Sequence, residues 1–565
     1  MRSKVDEVMF REEYPRPDYI RKNWQPLNGE WDFEIADGKS LGQSYYLHSD
    51  LLGVIEVPFA PGALFSGVSS LGNLKSVWYK RRFELSKQQA SGKVFLNFIA
   101  VDYRSEIYIN GQLVSINKGG SLPFSIDITQ YVVEGENIVA VNALDDETDS
   151  ALPSGYQGKS VKGGAPSVTG IWGSVWLEFA SHSYIEDCFA YCKAGEIILK
   201  GAISAPLEGG YFAVEVSLEG KSLSSYRYKA TKDIFLSIPL NSAPELWNVL
   251  NGKLYDIDIL LKDASGNTAD SVRIYTFFRN IEMVNNRLAV NGKPVIIRAV
   301  DDYCYYGGGG STAPSADIIK QDFLKLISLG FNAVRPVQRI PEPIYLYYAD
   351  VLGLIVLEDY PSYGMDFDLD SAAQNIQADW LNLAKRDFGH PSIIFRQPVY
   401  SECNNAQAKH AMYNLIKSLD SSRFVMSGGL AFSADIIDID VTGLTLNEVL
   451  EKIIERKNGT YTTKREERTL RKRYPSLMDN NSYAAYPFIV SGIGQSFSSS
   501  NRDEENAALK NYRALTQAAL SAGAAGYIYS ALGDTPAWLS GLADINRDDK
   551  LSRGGELELQ RINSG

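Results

Sequence analysis

At Arg279 the rhythm of the chain changes, and no other feature constrains the fold as tightly. Before it, apolar residues alternate over short segments: Trp31-Asp-Phe-Glu-Ile35, Val77-Trp-Tyr-Lys-Arg-Arg-Phe83, Val94-Phe-Leu-Asn-Phe-Ile-Ala100 and Glu106-Ile-Tyr-Ile-Asn-Gly111. Period-two segments this short, divided by Gly, Pro and Asn, predict antiparallel sandwiches, and Asn110-Gly111 between two apolar runs predicts a hairpin turn. A second alternating set, Tyr184 to Phe278, has the length of one immunoglobulin-like sandwich. After Arg279 the pattern becomes strand, loop, helix, repeated. Val295 to Val300 leads through a glycine-rich loop to the amphipathic stretch Asp317 to Leu329; Asn332 to Arg335, a helix through Asp350, and Leu354 to Glu358 follow. Such alternation builds a parallel sheet wrapped by helices, and over this length a closed eight-stranded barrel is the economical solution. The expected architecture is a jelly-roll-like β-sandwich (1–182), an immunoglobulin-like β-sandwich (183–279) and a C-terminal (β/α)8 barrel (280–565), whose polar strand ends form the active face.

The chain has 565 residues, 45% hydrophobic and 22% charged, with a net charge of −12 and 33 Tyr. That balance describes a globular chain able to bury large cores, and it favours a neutral polyhydroxylated ligand stacked on rings over nucleic acid. Cys188, Cys192, Cys304 and Cys403 are too scattered for a disulfide framework and lack the spacing of a zinc site; the histidines are equally dispersed. No metal and no cofactor is expected. Met1 to Trp24 is charged throughout, with no apolar core of a leader, and no apolar stretch reaches membrane-spanning length. A cytoplasmic location is expected, or a secreted form already processed, with no membrane partner. The segment 451–473, rich in Lys, Arg and Glu, reads as a solvated helical insertion or lid.

Retaining hydrolysis of a glycoside needs two carboxylates about 5 Å apart, and on a barrel they come from the ends of different strands. Two strands are candidates. The run from His390 through Arg396-Gln-Pro-Val-Tyr-Ser delivers Glu402, whereas Pro487-Phe-Ile-Val-Ser-Gly-Ile-Gly494 delivers Gly492.

Motifs along nearly the whole chain resemble glycoside hydrolase family 2, the group of β-galactosidases, β-glucuronidases and β-mannosidases. They are Asn23-Trp-Gln-Pro-Leu-Asn-Gly-Glu-Trp31, Val57-Pro-Phe-Ala-Pro61, Thr169-Gly-Ile-Trp172, Asn291-Gly-Lys-Pro294, Gly330-Phe-Asn-Ala-Val-Arg335 and Ala349-Asp-Val-Leu-Gly-Leu354. The resemblance implies that Glu402 is the acid/base, with Ser401 in place of the family's sugar-binding Asn. It also implies that Val490-Ser-Gly-Ile-Gly494 is the nucleophile motif, with Gly492 where the attacking Glu belongs. Arg335 aligns with an active-site Arg, and Gln338 is a weaker candidate beside it. Asp302, with the other acid Asp301 and the tyrosines of the loop 301–310 after the first strand, Asp438 and Asp440 near a later strand's end, and Tyr529, Asp534 and Trp538 at the last strand are candidate contacts at the pocket mouth. Some relatives bind Mg²⁺ or Na⁺; no residues here identify such a site. Glu358 and Asp359 read as a buried salt bridge, His390 as structural, and Asp503 to Glu505 as helix-start charges.

Three functions fit these residues. The first is a pseudoglycosidase that recognises β-glycosides but has lost double displacement. The second is a glycosidase that uses Glu402 with another carboxylate, Asp302, Asp438 or Asp440, or with substrate assistance. The third is a structural, partner-docking subunit. A homo-oligomer is compatible with each.

Overall fold

The computed structural model describes residues 10–37, 43–69, 74–146, 148–158, 166–400, 403, 405–428, 433–457, 486–494 and 501–564. Ser401, Glu402 and the greater part of the charged segment 451–473 lie outside them.

Two antiparallel sheets form the first sandwich. A six-stranded sheet, with Gly29–Ile35, Ser76–Leu85 and Gly135–Leu144 at its centre, faces a four-stranded sheet built on Lys93–Phe98 and Val175–Ala180. The alternation read from sequence puts Trp31, Phe33, Val77, Tyr79, Leu96 and Phe98 in the core between them. Asn110 and Gly111 both take positive φ, 48° and 82°, as a tight hairpin turn of the primed type demands.

The second sandwich opposes a three-stranded sheet, Ile185–Lys193, Glu196–Ile203 and Asp233–Pro239, to a five-stranded one. Its edge strand comes from the chain's beginning: Tyr19–Arg21 pairs antiparallel with Val272 to Ile274. The N-terminal segment therefore crosses the expected division between the sandwiches.

The barrel closes with eight parallel strands: β1 (Ile297–Asp302), β2 (Ala333–Pro336), β3 (Ile355–Asp359), β4 (Ile393–Gln397), β5 (Phe424–Gly428), β6 (Ile436–Asp440), β7 (Phe488–Ile493) and β8 (Gly526–Ser530). Helices α1 (Ala316–Ser328), α2 (Pro343–Leu352), α3 (Asp370–Arg386), α4 (Ala406–Leu419), α5 (Leu446–Lys457), α6 (Arg502–Ser521) and α7 (Arg553–Ser564) follow in the chain. Asn501 caps α6, and Asp503, Glu504 and Glu505 fill its first turn, the helix-start role read from sequence. The barrel's lower end is apolar. Trp247 and the hairpin residues Leu288 and Val290 pack there against Ile297, Ala299, Ala333 and Ile355, leaving the C-terminal end as the open, polar face.

Candidate active site at the barrel mouth

Strand alternation decides which side chains reach the mouth. Ile297 and Ala299 lie in the barrel's inner core and Val300 in the outer one, so Asp301 points inward and Asp302 outward. The same parity turns Arg335, Asp359, Gln397, Asp438, Ser491 and Ser530 inward above the apolar layers, while Glu358 and Tyr529 face the helices.

Arg335 sits at the floor of this polar layer. Its Nε and Nη2 reach Asp301 at 2.6 and 3.1 Å, and Nη1 reaches Asp438 Oδ2 at 2.9 Å. One guanidinium thus ties two inward carboxylates from different strands, Asp301 and Asp438. Burial pushes the Asp438 carboxyl above its ordinary value, against the pull of Arg335, and neighbouring Asp440 adds to the rise. Asp359 accepts from the Gln338 backbone at 2.9 Å and its amide at 2.8 Å. Burial lifts Asp359 to about 7, opposed by Arg335 and the Gln338 N–H and reinforced by Asp301 and Asp438.

Above the carboxylates stand aromatic rings. Tyr303, Tyr363, Tyr400 and Trp538 come from loops at the barrel's C-terminal end, and Tyr156 reaches in from the first sandwich. Tyr156 lies 4.8 Å from Tyr363, 6.2 Å from Tyr400 and 6.3 Å from Tyr303, centre to centre. The Gly155 N–H anchors this loop on Pro361 O at 3.1 Å. Gly155 is required there, because a Cβ would fall 2.5 Å from Gln338 O. Burial, and then Tyr400, carries the Tyr156 phenol far above its ordinary pKa, so it remains a neutral donor.

Among the described residues, the buried polar atoms Gln397 Oε1, Asp438 Oδ1, Ser491 Oγ and Trp538 Nε1 around the mouth have no hydrogen-bond partner. The Ser491 hydroxyl lies beside Asp438 and lowers that group's pKa, but without good bonding geometry. Such atoms are costly to bury unless a ligand or water satisfies them.

At Gly492 the strand bulges: Val490 pairs with Tyr527 but Ile493 with Tyr529, three residues of β7 against two of β8. Gly492 takes φ +75°, and a Cβ there would collide with Thr442 Oγ1 and lie 2.7 Å from Thr442 N and 2.8 Å from Asp440 Oδ1. Asp440, on the adjacent strand, receives the Thr442 N–H at 2.8 Å and its hydroxyl at 2.6 Å.

Two family models match this chain: the glycosyl hydrolases family 2 sugar binding domain over residues 70–158 and the glycosyl hydrolases family 2 TIM barrel domain over residues 281–495, together more than half of it. The chain belongs to glycoside hydrolase family 2. A β-galactosidase of Pseudoalteromonas haloplanktis is 26% identical over 466 residues, 73% of this chain and 43% of that one. This chain spans about half the length of the curated relatives it matches. Among solved structures, a β-glucuronidase from an uncultured Clostridium sp. superposes with TM-score 0.76 at 17% identity, over 99% of this chain and 100% of that one. A β-glucuronidase from Ruminococcus gnavus in complex with D-glucuronic acid gives 0.77 at 18% identity, over 98% and 100%. At that identity the likeness is one of fold.

Within this family-2 barrel the sequence candidates divide. Arg335, Asp438, Gly492 and Trp538 gather at the mouth. Asp302 does not: it turns outward to accept the Tyr345 hydroxyl at 3.0 Å and the Cys304 N–H at 2.8 Å, and Asp301 takes the inward place. Tyr529 is core, fully buried against Phe331 and Tyr512, its hydroxyl on Ser540 O at 3.0 Å. Asp534 is held by Lys550 at 2.9 and 3.0 Å, which makes it a staple of the last loop. Glu358 pairs with Arg396 at 3.0 Å behind the barrel wall, as a salt bridge, whereas its neighbour Asp359 enters the mouth. Sequence reasoning passed over Gln397 and Tyr156. For Gln397, the parity of β4 was an available signal. Among the described residues, no group of three or more His, Cys, Asp or Glu is placed to hold a metal ion, and no helix is long and apolar enough to cross a membrane.

Proposed function

We propose that this family-2 chain recognises a β-glycoside at its barrel mouth and is catalytically impaired, because the covalent route through β7 is lost. The observation that carries the reading is the backbone at Gly492. It offers no nucleophile, and its φ of +75° and the crowding by Thr442 leave no room for one. Recognition is supported by the buried, unsatisfied polar atoms beneath a ring-lined rim, a combination that suits the hydroxyls and C–H faces of a sugar. Glu402 remains the sequence's candidate proton donor.

The test is incubation with aryl β-galactoside, β-glucuronide, β-glucoside and β-mannoside, together with a 2-fluoro glycoside and mass spectrometry. No covalent adduct is expected, and turnover should lie roughly 10⁴-fold or more below that of an enzyme with an intact nucleophile. An adduct on the chain would overturn the proposal.

A second reading has one observation in its favour, the carboxylate of Asp440 lying 2.8 Å from the place of a residue-492 Cβ. In that reading Asp440 activates water for a single displacement with inversion. Turnover that gives the inverted anomer and disappears in Asp440→Asn and Glu402→Gln would select it.

A further inference from the structure

The outer face of the second sandwich carries a row of aromatic rings. In its three-stranded sheet Cys188, Ala190, Leu199, Ile234 and Leu236 turn into the core, so strand parity sends Phe189, Tyr191, Lys200 and Phe235 to the outside. Phe189, Lys200 and Phe235 are direct cross-strand partners on the three strands and form a line across the sheet. Phe388, in the barrel's Asp387–Gly389 turn, extends the line, its ring 5.9 Å from that of Phe189. Phe189, Phe235 and Phe388 are 44%, 66% and 37% exposed. Ile198, on the same face between Tyr191 and Ser237, is almost covered and gives the row an apolar floor. Exposed aromatic surface gathered in this way marks a contact site.

Two details define what fits it. The rings of Phe189 and Tyr191 lie side by side, 6.4 Å apart and tilted by only 26°, which makes a nearly flat platform. Phe235 roots two strands away from Phe189, a distance of about 9.5 Å and roughly the span of a disaccharide. The second detail is Lys200. Its Nζ stands 5.3 Å from the centre of the Tyr191 ring and 5.5 Å from that of Phe235, and among the described residues no carboxylate pairs with it.

A molecule that covers the platform must therefore bring acceptors to an ammonium set among apolar rings. A protein surface does this poorly, because a dry contact buries the charge, and lysine is depleted from interface cores. A second copy related by a two-fold axis through the platform would bring the two Lys200 ammoniums together. An extended glycan meets both demands. Its pyranose C–H faces stack on the rings, and the oxygens along its edges accept from Lys200. The other charges of this face stand at the strand ends and offset one another. Asp187 is paired with Lys385 at 3.5 Å, Glu196 takes the Ser237 hydroxyl at 2.5 Å, and Lys193 and Asp233 lie at opposite ends. That balance favours a neutral chain over a polyanion.

We infer that this face is a docking track for a neutral, extended β-linked polysaccharide, separate from the barrel mouth, with Phe189, Phe235 and Phe388 as stacking surfaces and Lys200 as the polar contact. The track does not depend on what enters the mouth.

Affinity electrophoresis of the intact chain tests it, in native gels containing barley β-glucan, glucomannan, galactan or xylan, with alginate as the polyanionic control. The chain is expected to be retarded in at least one neutral gel, with an affinity that falls roughly tenfold or more in Phe235→Ala and Phe189→Ala and several-fold in Lys200→Gln. Methyl β-glycosides are too short to span the track, so their titration should be the same in these variants as in the parent. No retardation in any neutral gel overturns the inference. So does retardation that persists in Phe235→Ala and Phe189→Ala but is lost in Tyr156→Ala, which would place the chain of sugars at the mouth. Retardation by alginate alone, abolished by salt, or a dimer in sedimentation that Phe235→Ala dissociates, would give the face to an anion or to a second copy and overturn it as well. A mouth that binds no methyl glycoside would sink the recognition reading above and leave this one standing.

Discussion

A carboxylate restored at position 492 would grow from a backbone at φ +75°, where a side chain costs roughly 1–2 kcal/mol, into Thr442 and Asp440, where overpacking costs about 1–3 kcal/mol more. Gly492→Glu is therefore expected to lose ~2–5 kcal/mol in urea unfolding and to gain no retaining activity. Gly492→Ala should show most of the same loss, because the strain begins at Cβ. A fully stable, active Gly492→Glu enzyme would show that the bulge yields easily. Asp359 carries a different residue-scale consequence. Its carboxyl, ordinarily at 3.8, is lifted to about 7 by burial, so between those values the folded chain holds a proton that the unfolded chain has released. Stability from this group is greatest below about pH 4 and falls as pH rises towards 7, by at most ~4 kcal/mol. Asp359→Asn should flatten that part of the stability profile, measured as the difference in Tm between pH 5 and pH 7. Burial pushes Glu358 in the same direction, against the pull of Arg396.

At the scale of elements, strands and helices were legible because their periodicity is a local property. The amphipathic stretch Asp317 to Leu329 is α1, Ala316–Ser328, and Leu354 to Glu358 is β3, Ile355–Asp359, each within a residue or so. The same one-residue uncertainty misassigned the site, since in a strand it exchanges the inner and outer faces. Of the two acids expected at the mouth from the loop after β1, Asp301 faces inward and Asp302 outward, and at β8 Ser530 holds the inward position in place of Tyr529. The β7 bulge was hidden for a related reason: pairing of three residues against two belongs to neighbouring strands. The loop around Tyr156 was missed because its role depends on a contact between remote parts of the chain, with Gly155 pressed against Gln338 and Pro361. This loop gives a third prediction. Tyr156→Ala should weaken glycoside binding roughly tenfold in titration, while Tyr156→Phe, which keeps the ring, should retain most of the affinity. Equal affinity in all three proteins would remove Tyr156 from the site.

For the whole molecule, the three bodies are joined by buried polar contacts that a domain-by-domain reading could not anticipate. Arg11 pairs with Glu342 of the barrel at 2.9 Å, and Arg21 bridges Glu178 of the first sandwich at 3.2 Å and Asp270 of the second. Asp350, on α2, is the most connected of these groups. Its carboxylate takes the Tyr275 hydroxyl of the second sandwich at 2.7 Å, His390 Nδ1 at 2.6 Å and the Ser392 N–H at 2.9 Å, while its carbonyl takes Trp247 Nε1 at 2.8 Å. His390 is thus a structural tie in the Gly-His-Pro turn. Burial opposes its charge, yet Asp350, with Asp387 beyond it, holds its pKa above the ordinary 6.5. A raised histidine contributes fully below its unfolded value and loses that contribution as pH rises through the folded one, so this joint weakens on the alkaline side. Asp350→Ala strands a phenol, an imidazole and a backbone N–H in a buried site, which should cost ~3–5 kcal/mol. Because those groups connect the second sandwich to the barrel, the variant is expected to melt in two separated calorimetric transitions where the parent shows closer coupling, and to lose the parent's fall in Tm between pH 6 and pH 8.5. A variant that melts as the parent does across that range would place the coupling in the apolar contacts around Trp247 and would leave Asp350 a spectator.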